Sequence, residues 1–478
     1  MKRIIALLLL AVMALSLVSC GSSDKEDGIV ITWLVPGDAQ KDTKLVVDEI
    51  NKIMKEEIGV TIDLQFIAQS AYAEKMKMNM ASGMAFDLCY TSSWLNDYNA
   101  AARDGGLYDM TDLINDNVRS FFPEDIWKGS EIDGRIYAVP NNQMMIMQYC
   151  ISFREDLVEK YKDQFDVTKV TKMADIEPFL KLVRDNEPDL YPYNSGLSTG
   201  PWTEGIFKSP VSNTGVTIRL ATNEFVNSLK QPEVLEAQDM IRDWYKKGYI
   251  RQDYASAGGD GGAASADVKQ GKYAVKIDTW KPGIEALQTG VRYVYVPIGR
   301  ATKNPPTATM TAIGANSKHP EEAMKVIEFI NTNKEAYNLI CYGIKDKHYK
   351  LNKEGKLVQI PNSGYTPQGD WKFGNQFNAY VSEGMPDDIW EQTQKANDEA
   401  LALPTTGFVF NTDPVKTELA SIASVFAEYS DFVTLTDKEY EDFLKKREKA
   451  LKDAGYEKVF KEIEKQMKKY WKDNNMKF

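Results

Sequence analysis

Hydrophobic and polar positions in the first part of the chain alternate between the spacing of strands and that of helices. The near-continuous apolar run at 29–35 predicts a strand covered on both faces, the alternating residues 60–67 predict a second strand, and 86–91 predict a third. Between them, apolar residues three and four apart predict helices from about residue 41 to Gly59 and over 72–81. This β-α-β-α-β order predicts a parallel doubly wound sheet, whose ligands lie beyond the carboxyl ends of its strands.

The same patterning continues through the middle of the chain. Extended apolar segments at 134–140 and 144–153 flank Asn141 and Asn142, and we expect these segments to carry the chain from one lobe to another. Beyond them, the pattern predicts helices at 173–184, 233–247 and 320–331, loops at 188–212 and 257–264, and strands at 273–278 and 293–298, the last returning to the first lobe.

From about residue 350 the pattern becomes rich in loops and then helical. Helices are predicted at 389–401, 414–429 and 438–472. The last has apolar residues three to four apart along one face, and we expect that face to pack on the rest of the protein. Lysines crowd its end, so a helix lying on a membrane is the alternative, although charge runs are usually solvated faces.

The first 28 residues have the pattern of a targeting segment followed by a tether. Lys2 and Arg3 precede the apolar residues 4–18, a length that suits a signal peptide and is short of the roughly 20 residues of a membrane span. The segment ends in LVSCG, which looks like the lipobox at which bacterial lipoproteins are cleaved and acylated, here on Cys20. A secretory peptide with an incidental cysteine is the alternative. Residues 20–28 are polar and predict a flexible tether.

Composition narrows the range of functions. The 478 residues are 43% hydrophobic and carry a formal net charge of -11, so the protein lacks the basic field that nucleic-acid binding needs. Its two histidines, His319 and His348, are too few to favour a zinc site or a Ser-His-Asp triad. The cysteines after the tether lie in apolar runs and predict buried free thiols rather than disulfides: Cys89, Cys150 and Cys341.

Three short motifs carry a resemblance to a known family. The segments 134–140 (GRIYAVP) and 317–325 (SKHPEEAMK) resemble motifs of the family 1 extracellular solute-binding proteins, the receptors of ABC importers. The segment 342–349 (YGIKDKHY) is similar to an element of a Firmicute-type lipoprotein branch, with Lys345 and Asp346 where Glu-Gly is commoner. That branch carries a C-terminal module of unknown function, entered here at 406–411. Taken with the LVSCG segment, these motifs extend the resemblance over nearly the whole chain, and their order and spacing strengthen it.

The resemblance implies an α/β protein with the two-lobed periplasmic-binding-protein fold (type II), each lobe a mostly parallel sheet flanked by helices. The expected divisions are a signal peptide at 1–19, a tether at 20–28, a first lobe at 29–140 and about 293–345, a second lobe at 141–292, and a mainly helical module at 346–478 that packs on the lobes. The implied function is that of a monomeric receptor, lipid-anchored on the outer face of the bacterial membrane. It would capture a sugar or oligosaccharide without a cofactor and deliver it to the permease subunits of an ABC importer.

Two alternatives are a secreted glycosidase that uses two carboxylates and a ligand sensor for a membrane kinase. The Gly-rich segment 258–262 lacks the Lys-Ser/Thr pair of a phosphate-binding loop, and no His-x-x-x-His pair is present. We therefore expect a binding protein that holds no metal, rather than an enzyme.

We expect the binding site to consist of polar and aromatic side chains in loops that follow strands, because sugar rings stack on aromatic faces while their hydroxyls bond polar groups. The candidate ligand-binding residues are Asp38, Ser92, Ser93, Trp94, Asn141, Asn142, Trp202, Asp278, Trp280 and Trp371. Each has a structural alternative, which is turn or cap formation for the polar residues and core packing for the tryptophans. Trp33 lies within a predicted strand and is expected in the core.

Overall fold

Two sheets with flanking helices form two lobes in the computed structural model of the protein. The structure describes residues 28–194, 199–203, 205–254, 266–268, 270–288, 290–367 and 369–476. Cys20 with its leader and the loop predicted at 257–264 lie outside the described residues. Among the helices of these ranges, we find none with both the length and the hydrophobicity that a membrane span requires.

The secondary structure alternates strands and helices, as the sequence pattern predicts. The strands β1 to β18 are Ile29–Pro36, Val60–Ile67, Leu88–Thr91, Glu131–Ile132, Arg135–Ile136, Ala138–Pro140, Ile146–Met147, Tyr149–Arg154, Tyr191–Tyr193, Phe207–Lys208, Val216–Arg219, Glu224–Asn227, Tyr273–Thr279, Tyr293–Pro297, Thr302–Lys303, Met310–Ile313, Tyr349–Leu351 and Leu357–Gln359. The α-helices α1 to α15 are Thr43–Ile58, Gln69–Ala81, Tyr98–Arg103, Asp116–Arg119, Glu124–Ser130, Glu155–Lys160, Glu177–Asn186, Gly200–Thr203, Pro232–Lys246, Pro320–Thr332, Lys334–Tyr342, Ile389–Glu399, Lys416–Glu428, Asp437–Asp453 and Tyr456–Asp473.

The first lobe is built on a five-stranded sheet in the order β2-β1-β3-β16-β6. β1 pairs in parallel with β2 and β3, whereas β16 runs antiparallel to both of its neighbours. Gly59 ends α1 with φ 72°, a left-handed conformation that glycine adopts without steric cost. Trp33 is buried in the core beneath this sheet, as expected. The predicted order of strands and helices over residues 29–91 is thus confirmed.

The second lobe contains a four-stranded sheet in the order β14-β8-β13-β9, which corrects two expectations. This sheet is not mostly parallel: β8 runs antiparallel to β13 and β14, and the parallel pair is β13 with β9. Nor does the strand at 293–298 return to the first lobe, because Tyr293–Pro297 pairs with β8. An alternating apolar pattern shows that a segment is a strand but does not show which sheet it joins.

The chain after residue 346 divides between the two lobes instead of forming one module. Phe373 and Ala379 enter the core of the first lobe, where the ring of Phe373 lies 5.4 Å from that of Trp33. α13 to α15 pack instead on the second lobe, and Tyr440 of α14 belongs to its core. The single helix predicted at 438–472 is two helices, α14 and α15, separated by Gly455 with φ 86°.

Three chain segments run side by side between the lobes. β7 leaves the first lobe and pairs antiparallel with β15, which returns to it. Leu401, where the chain leaves α12 of the first lobe for the C-terminal helices, donates a hydrogen bond to the Ala301 carbonyl and accepts one from Lys303, both at 2.9 Å. We call β7, β15 and Leu401 the hinge ribbon.

The cysteines that the structure describes are buried and free, as expected: Cys89, Cys150 and Cys341. Burial raises the pKa of all three thiols, that of Cys150 to about 12. They are therefore protonated and chemically inert at neutral pH, and they act as small apolar side chains of the cores.

Candidate functional site

Aromatic side chains from separate parts of the chain meet at the carboxyl edge of the first sheet. The ring of Trp94, in the loop after β3, lies 5.9 Å from that of Trp371 and 6.3 Å from that of Tyr90. Tyr90 and Trp371 are themselves 5.8 Å apart. Tyr90 is buried, Trp371 is half-buried and Trp94 is 53% exposed, so the cluster presents an aromatic surface to solvent. We call Tyr90, Trp94 and Trp371 the aromatic platform.

A tight turn after β3 fixes the position of Trp94. The buried Ser92 hydroxyl accepts hydrogen bonds from the backbone N–H groups of Trp94 and Leu95, at 3.3 and 2.8 Å, and donates to the Leu95 carbonyl. The indole N–H of Trp94 donates to the Ala308 carbonyl at 2.9 Å. Ser92 therefore shapes the turn instead of facing a ligand, whereas Ser93 is exposed beside Trp94.

A buried lysine lies next to the platform. Lys372 is 4% exposed, and its ammonium group donates hydrogen bonds to the carbonyls of Pro36 and Pro367 at 2.8 and 3.3 Å. Burial lowers the pKa of Lys372 to about 8, and the negative charges of Asp370 and Asp38 partly oppose this effect. The lysine thus places a hydrogen-bond donor beside the aromatic rings of Phe66, Trp371 and Phe373.

A cavity of about 360 Å³ opens between Lys372 and Trp371. Its wall includes the exposed Asp38, a candidate ligand contact that follows β1, and Gln69 at the start of α2. Gly37 also contributes, and a Cβ atom at that position would lie 3.2 Å from Nζ of Lys372. The absence of a side chain at Gly37 therefore keeps the ammonium group accessible from the cavity.

Asn141 and Asn142 hold the loop 369–376, which we call the platform loop. The side-chain amide of the buried Asn141 donates hydrogen bonds to the carbonyls of Trp371 and Lys372, at 3.3 and 2.9 Å, and its oxygen accepts one from the Thr311 hydroxyl. The backbone of Asn142 donates to the Gly374 carbonyl and accepts from the Gln376 N–H, both at 2.8 Å. Asn141 is thus a positioning residue with no free polar group for a ligand, contrary to the expectation.

Two candidates of the second lobe lie at the end of β13 that faces the hinge ribbon, Asp278 within the strand and Trp280 directly after it. Asp278 accepts hydrogen bonds from the Ser152 hydroxyl and the Lys276 ammonium group, both at 2.6 Å. Trp280 is half-buried, and its backbone N–H donates to the Gln148 carbonyl at 2.8 Å, next to β7. Asp278 is therefore engaged within its own sheet, while Trp280 stands where the second lobe meets the hinge ribbon.

Trp202 is packed in the second lobe and does not join the platform. Its ring lies 4.9 Å from that of the buried Trp244, which also contacts Tyr193 at 5.2 Å. The expectation of ligand stacking is therefore not met for this residue. A tryptophan in a long loop has the same sequence pattern whether it packs inward or faces a cleft, so only the fold distinguishes the two.

A smaller cavity of about 150 Å³ lies between the lobes. Lys281 and Pro282, which directly follow Trp280, line one side, and Asp370 and Gln376 of the platform loop line another. Asp370 accepts hydrogen bonds from the Tyr342 hydroxyl and the Gln376 amide, both at 2.9 Å. The platform loop thus borders both the cavity at the sheet edge and the space between the lobes.

Three residues of this site were not among the sequence candidates. Tyr90 lies in an apolar run that predicts a buried strand, and its position at the strand end is the one indication of another role. Asp370 and Lys372 flank the candidate Trp371, so charged residues on both sides of a loop tryptophan were a usable indication.

The site combines an aromatic surface with hydrogen-bonding groups of both kinds. Asp38 supplies an acceptor, and the Lys372 ammonium group has a third N–H beyond the two held by carbonyls. Such a site suits a ring compound with one apolar face and a polar rim. Within the described ranges, no group of three or more His, Cys, Asp or Glu side chains could hold a metal ion.

Comparison with family models gives two matches along the chain. The model described as bacterial extracellular solute-binding protein matches residues 37–337, which span both lobes. The model described as a domain of unknown function (DUF3502) matches residues 404–472, the segment of the C-terminal helices.

Individual proteins are similar to this chain over nearly its whole length. A "carbohydrate ABC transporter substrate-binding protein" of Streptococcus pneumoniae is 28% identical over 487 aligned positions, which cover 96% of each chain. The crystal structure of the N-glycan transport solute binding protein (NgtS) of Streptococcus pneumoniae superposes with a TM-score of 0.82 at 26% identity, covering 93% of this chain and 100% of that one. Its complex with Man1GlcNAc gives a TM-score of 0.75 at 26% identity, with 93% and 99% coverage. The two-lobed α/β fold is thus shared with solute-binding proteins.

Proposed function

The chain belongs to the family of bacterial extracellular solute-binding proteins, and we propose that it captures a carbohydrate for an ABC importer. In this proposal, acylated Cys20 anchors the protein on the outer face of the cell membrane. An oligosaccharide binds between the lobes, and the closed, loaded protein delivers it to the permease subunits.

The aromatic platform is the observation that carries the proposal. Trp94 and Trp371 present adjacent ring surfaces at the edge of the first sheet, and Asp38 and Lys372 lie around the neighbouring cavity. Pyranose rings have apolar C–H faces that pack on aromatic rings, and a rim of hydroxyls that both donate and accept hydrogen bonds. A carbohydrate satisfies both parts of this surface.

The relatives support an oligosaccharide rather than a monosaccharide. NgtS, which is 26% identical to this chain and shares its fold, was crystallised with Man1GlcNAc and with Man5GlcNAc. The platform loop extends the binding surface from the sheet edge to the space between the lobes. A ligand of several sugar units would occupy both regions.

The hinge ribbon would allow the two lobes to rotate toward each other and close on a ligand. A ligand shifts an open–closed equilibrium only if it contacts the closed state better than the open one. Asp370 and Gln376 already face Lys281 and Pro282 across the interlobe cavity, so a bound oligosaccharide could contact both lobes there. This geometry supports a receptor that signals loading by closing.

The test is binding of a glycan panel, measured by isothermal titration calorimetry on the protein without its first 19 residues. For the glycan that binds, Trp94→Ala and Trp371→Ala should each weaken affinity by about 2 kcal/mol, roughly 30-fold, as is typical of aromatic residues at the centre of an interface. Met78→Ala is the matched control, because Met78 is an apolar side chain of α2 that is 62% exposed and lies outside the platform and its cavity.

Three outcomes would contradict the proposal. If no glycan binds, the protein is not a carbohydrate receptor. Unchanged affinity in both tryptophan variants would remove the platform from the site. Conversion of a bound glycan to shorter products would favour the alternative of a carboxylate-dependent glycosidase.

A further inference from the structure

A second cavity lies away from the aromatic platform, where α14 and α15 pack against the second lobe. Its volume is about 430 Å³, within the usual range for small-molecule sites. Leucine side chains from both partners form its apolar wall: Leu229, Leu235, Leu444 and Leu451. The cavity is thus built jointly by the second lobe and the C-terminal domain of unknown function.

One charged group in this cavity is buried without a counter-ion. Arg447 of α14 lines the cavity, is 6% exposed and has its guanidinium group 5.2 Å from the ring of Phe443. Within the part of the chain that the structure describes, the ring of Phe443 is the contact of its guanidinium group, and no hydrogen bond or ion pair reaches it. Burial lowers the pKa of Arg447, but an arginine stays protonated in proteins.

Arg242 shows how this fold treats a comparable arginine. It is 4% exposed and lies over the ring of Tyr440, at 4.1 Å, in the same group of aromatic side chains as Phe443. Unlike Arg447, it bonds two carboxylates and a carbonyl: Asp239, Asp437 and Leu435. Arg447 therefore differs from Arg242 in that no carboxylate or carbonyl of the described residues bonds its guanidinium group.

The carboxylates nearest to Arg447 do not supply that partner. Glu448 is bonded to Lys230 at 2.5 Å, and Lys230 lowers the pKa of Glu448. Glu457 lines the cavity but is exposed to solvent. A largely buried charge that meets only the cavity is unfavourable, so the position of Arg447 favours an anion inside the cavity.

We propose that this cavity binds a small organic carboxylate. The planar fork of Arg447 matches a carboxylate with two parallel hydrogen bonds, and the leucine wall accommodates an aliphatic or ring-shaped body. The site is separate from the aromatic platform, so it does not depend on the identity of the transported solute. It gives the C-terminal domain a role as a ligand-binding element of the protein.

The experiment compares octanoate with octanamide, which has the same shape and no charge, by titration calorimetry on the protein without its first 19 residues. Octanoate should bind at least roughly tenfold more tightly than octanamide, because only the carboxylate pairs with the guanidinium group. Arg447→Met should abolish octanoate binding, whereas Glu457→Gln should leave it unchanged or strengthen it. Equal binding of the two probes, or octanoate binding that survives in Arg447→Met, would overturn the proposal.

Thermal unfolding without any ligand gives an independent readout. Because Arg447→Met removes a buried charge that has no partner, it should raise the melting temperature, and Lys446→Met, an exposed charge on the same helix, should not. A lower melting temperature for Arg447→Met would mean that the arginine has a purely structural role, and the proposal would fail. Equal binding of inorganic phosphate and octanoate would also refute it, since the leucine wall would then contribute nothing.

Discussion

Lys372 should make the stability of the first lobe rise with pH above neutrality. Its ammonium group is buried and bonded to the carbonyls of Pro36 and Pro367. A neutral amine still has two N–H groups, which is the number that these carbonyls require. Loss of the proton therefore removes the burial penalty of the charge while keeping both hydrogen bonds, and Lys372→Met is the variant that removes the titrating group.

The magnitude follows from the difference between the folded and unfolded pKa values. The folded protein holds the Lys372 proton up to a pKa of about 8, and the unfolded chain holds it up to the ordinary value of 10.5. Between these values the unfolded chain binds more protons, so the free energy of unfolding increases with pH. From about pH 7 to about pH 9.5, this group should contribute a gain of about 2 kcal/mol.

Urea denaturation followed by tryptophan fluorescence at several pH values would measure this gain. Other groups also titrate in this range, so the relevant quantity is the difference in unfolding free energy between the natural protein and Lys372→Met. That difference should shift by about 2 kcal/mol in favour of the natural protein as pH rises. A difference that stays constant from about pH 7 to about pH 9.5 would show that Lys372 is not desolvated in the folded protein, and the reasoning would be refuted.

The remaining predictions concern the platform loop and the anchor. Asn141→Ala should destabilise the first lobe by roughly 2–3 kcal/mol, because two buried carbonyls and a hydroxyl lose their partner, and it should also weaken glycan binding; unchanged denaturation would contradict its positioning role. Cys20→Ala should abolish incorporation of a labelled fatty acid into the protein, because it removes the thiol that is acylated; continued labelling would count against a lipid anchor on Cys20.

Much of the fold could be predicted because local patterns determine its elements. The helices at 43–58 and 320–332 have clear apolar spacing and end signals, such as Gly59 and Pro320, and both are found in the structure close to the predicted bounds. The sheet to which a strand belongs could not be predicted in the same way. The strand Tyr293–Pro297, for example, has a pattern that suits either lobe. Pairing between distant segments depends on the whole chain, which no local window contains.

The candidate site was only partly predictable, for a related reason. Trp94 and Trp371 are far apart in sequence and adjacent in space, and both were identified because each lies in a loop. Ser92 and Asn141 have the residue types of ligand contacts, but their side chains form hydrogen bonds within the protein, Ser92 with the backbone and Asn141 with two carbonyls and the Thr311 hydroxyl. Lys372 was missed because nothing in its neighbours indicates burial, which results from its approach to the end of β1.

The bonds of Asn142 have a mechanical consequence. This residue is held by the platform loop on both sides, through Gly374 and Gln376, and the hinge ribbon begins four residues later at Ile146. A ligand that pushes on the platform loop would therefore act on the hinge ribbon through a few backbone atoms, because no helix lies between them. In the proposed function, this short connection would couple occupancy of the platform to the angle between the lobes, and a membrane partner would then sense a loaded molecule from its shape.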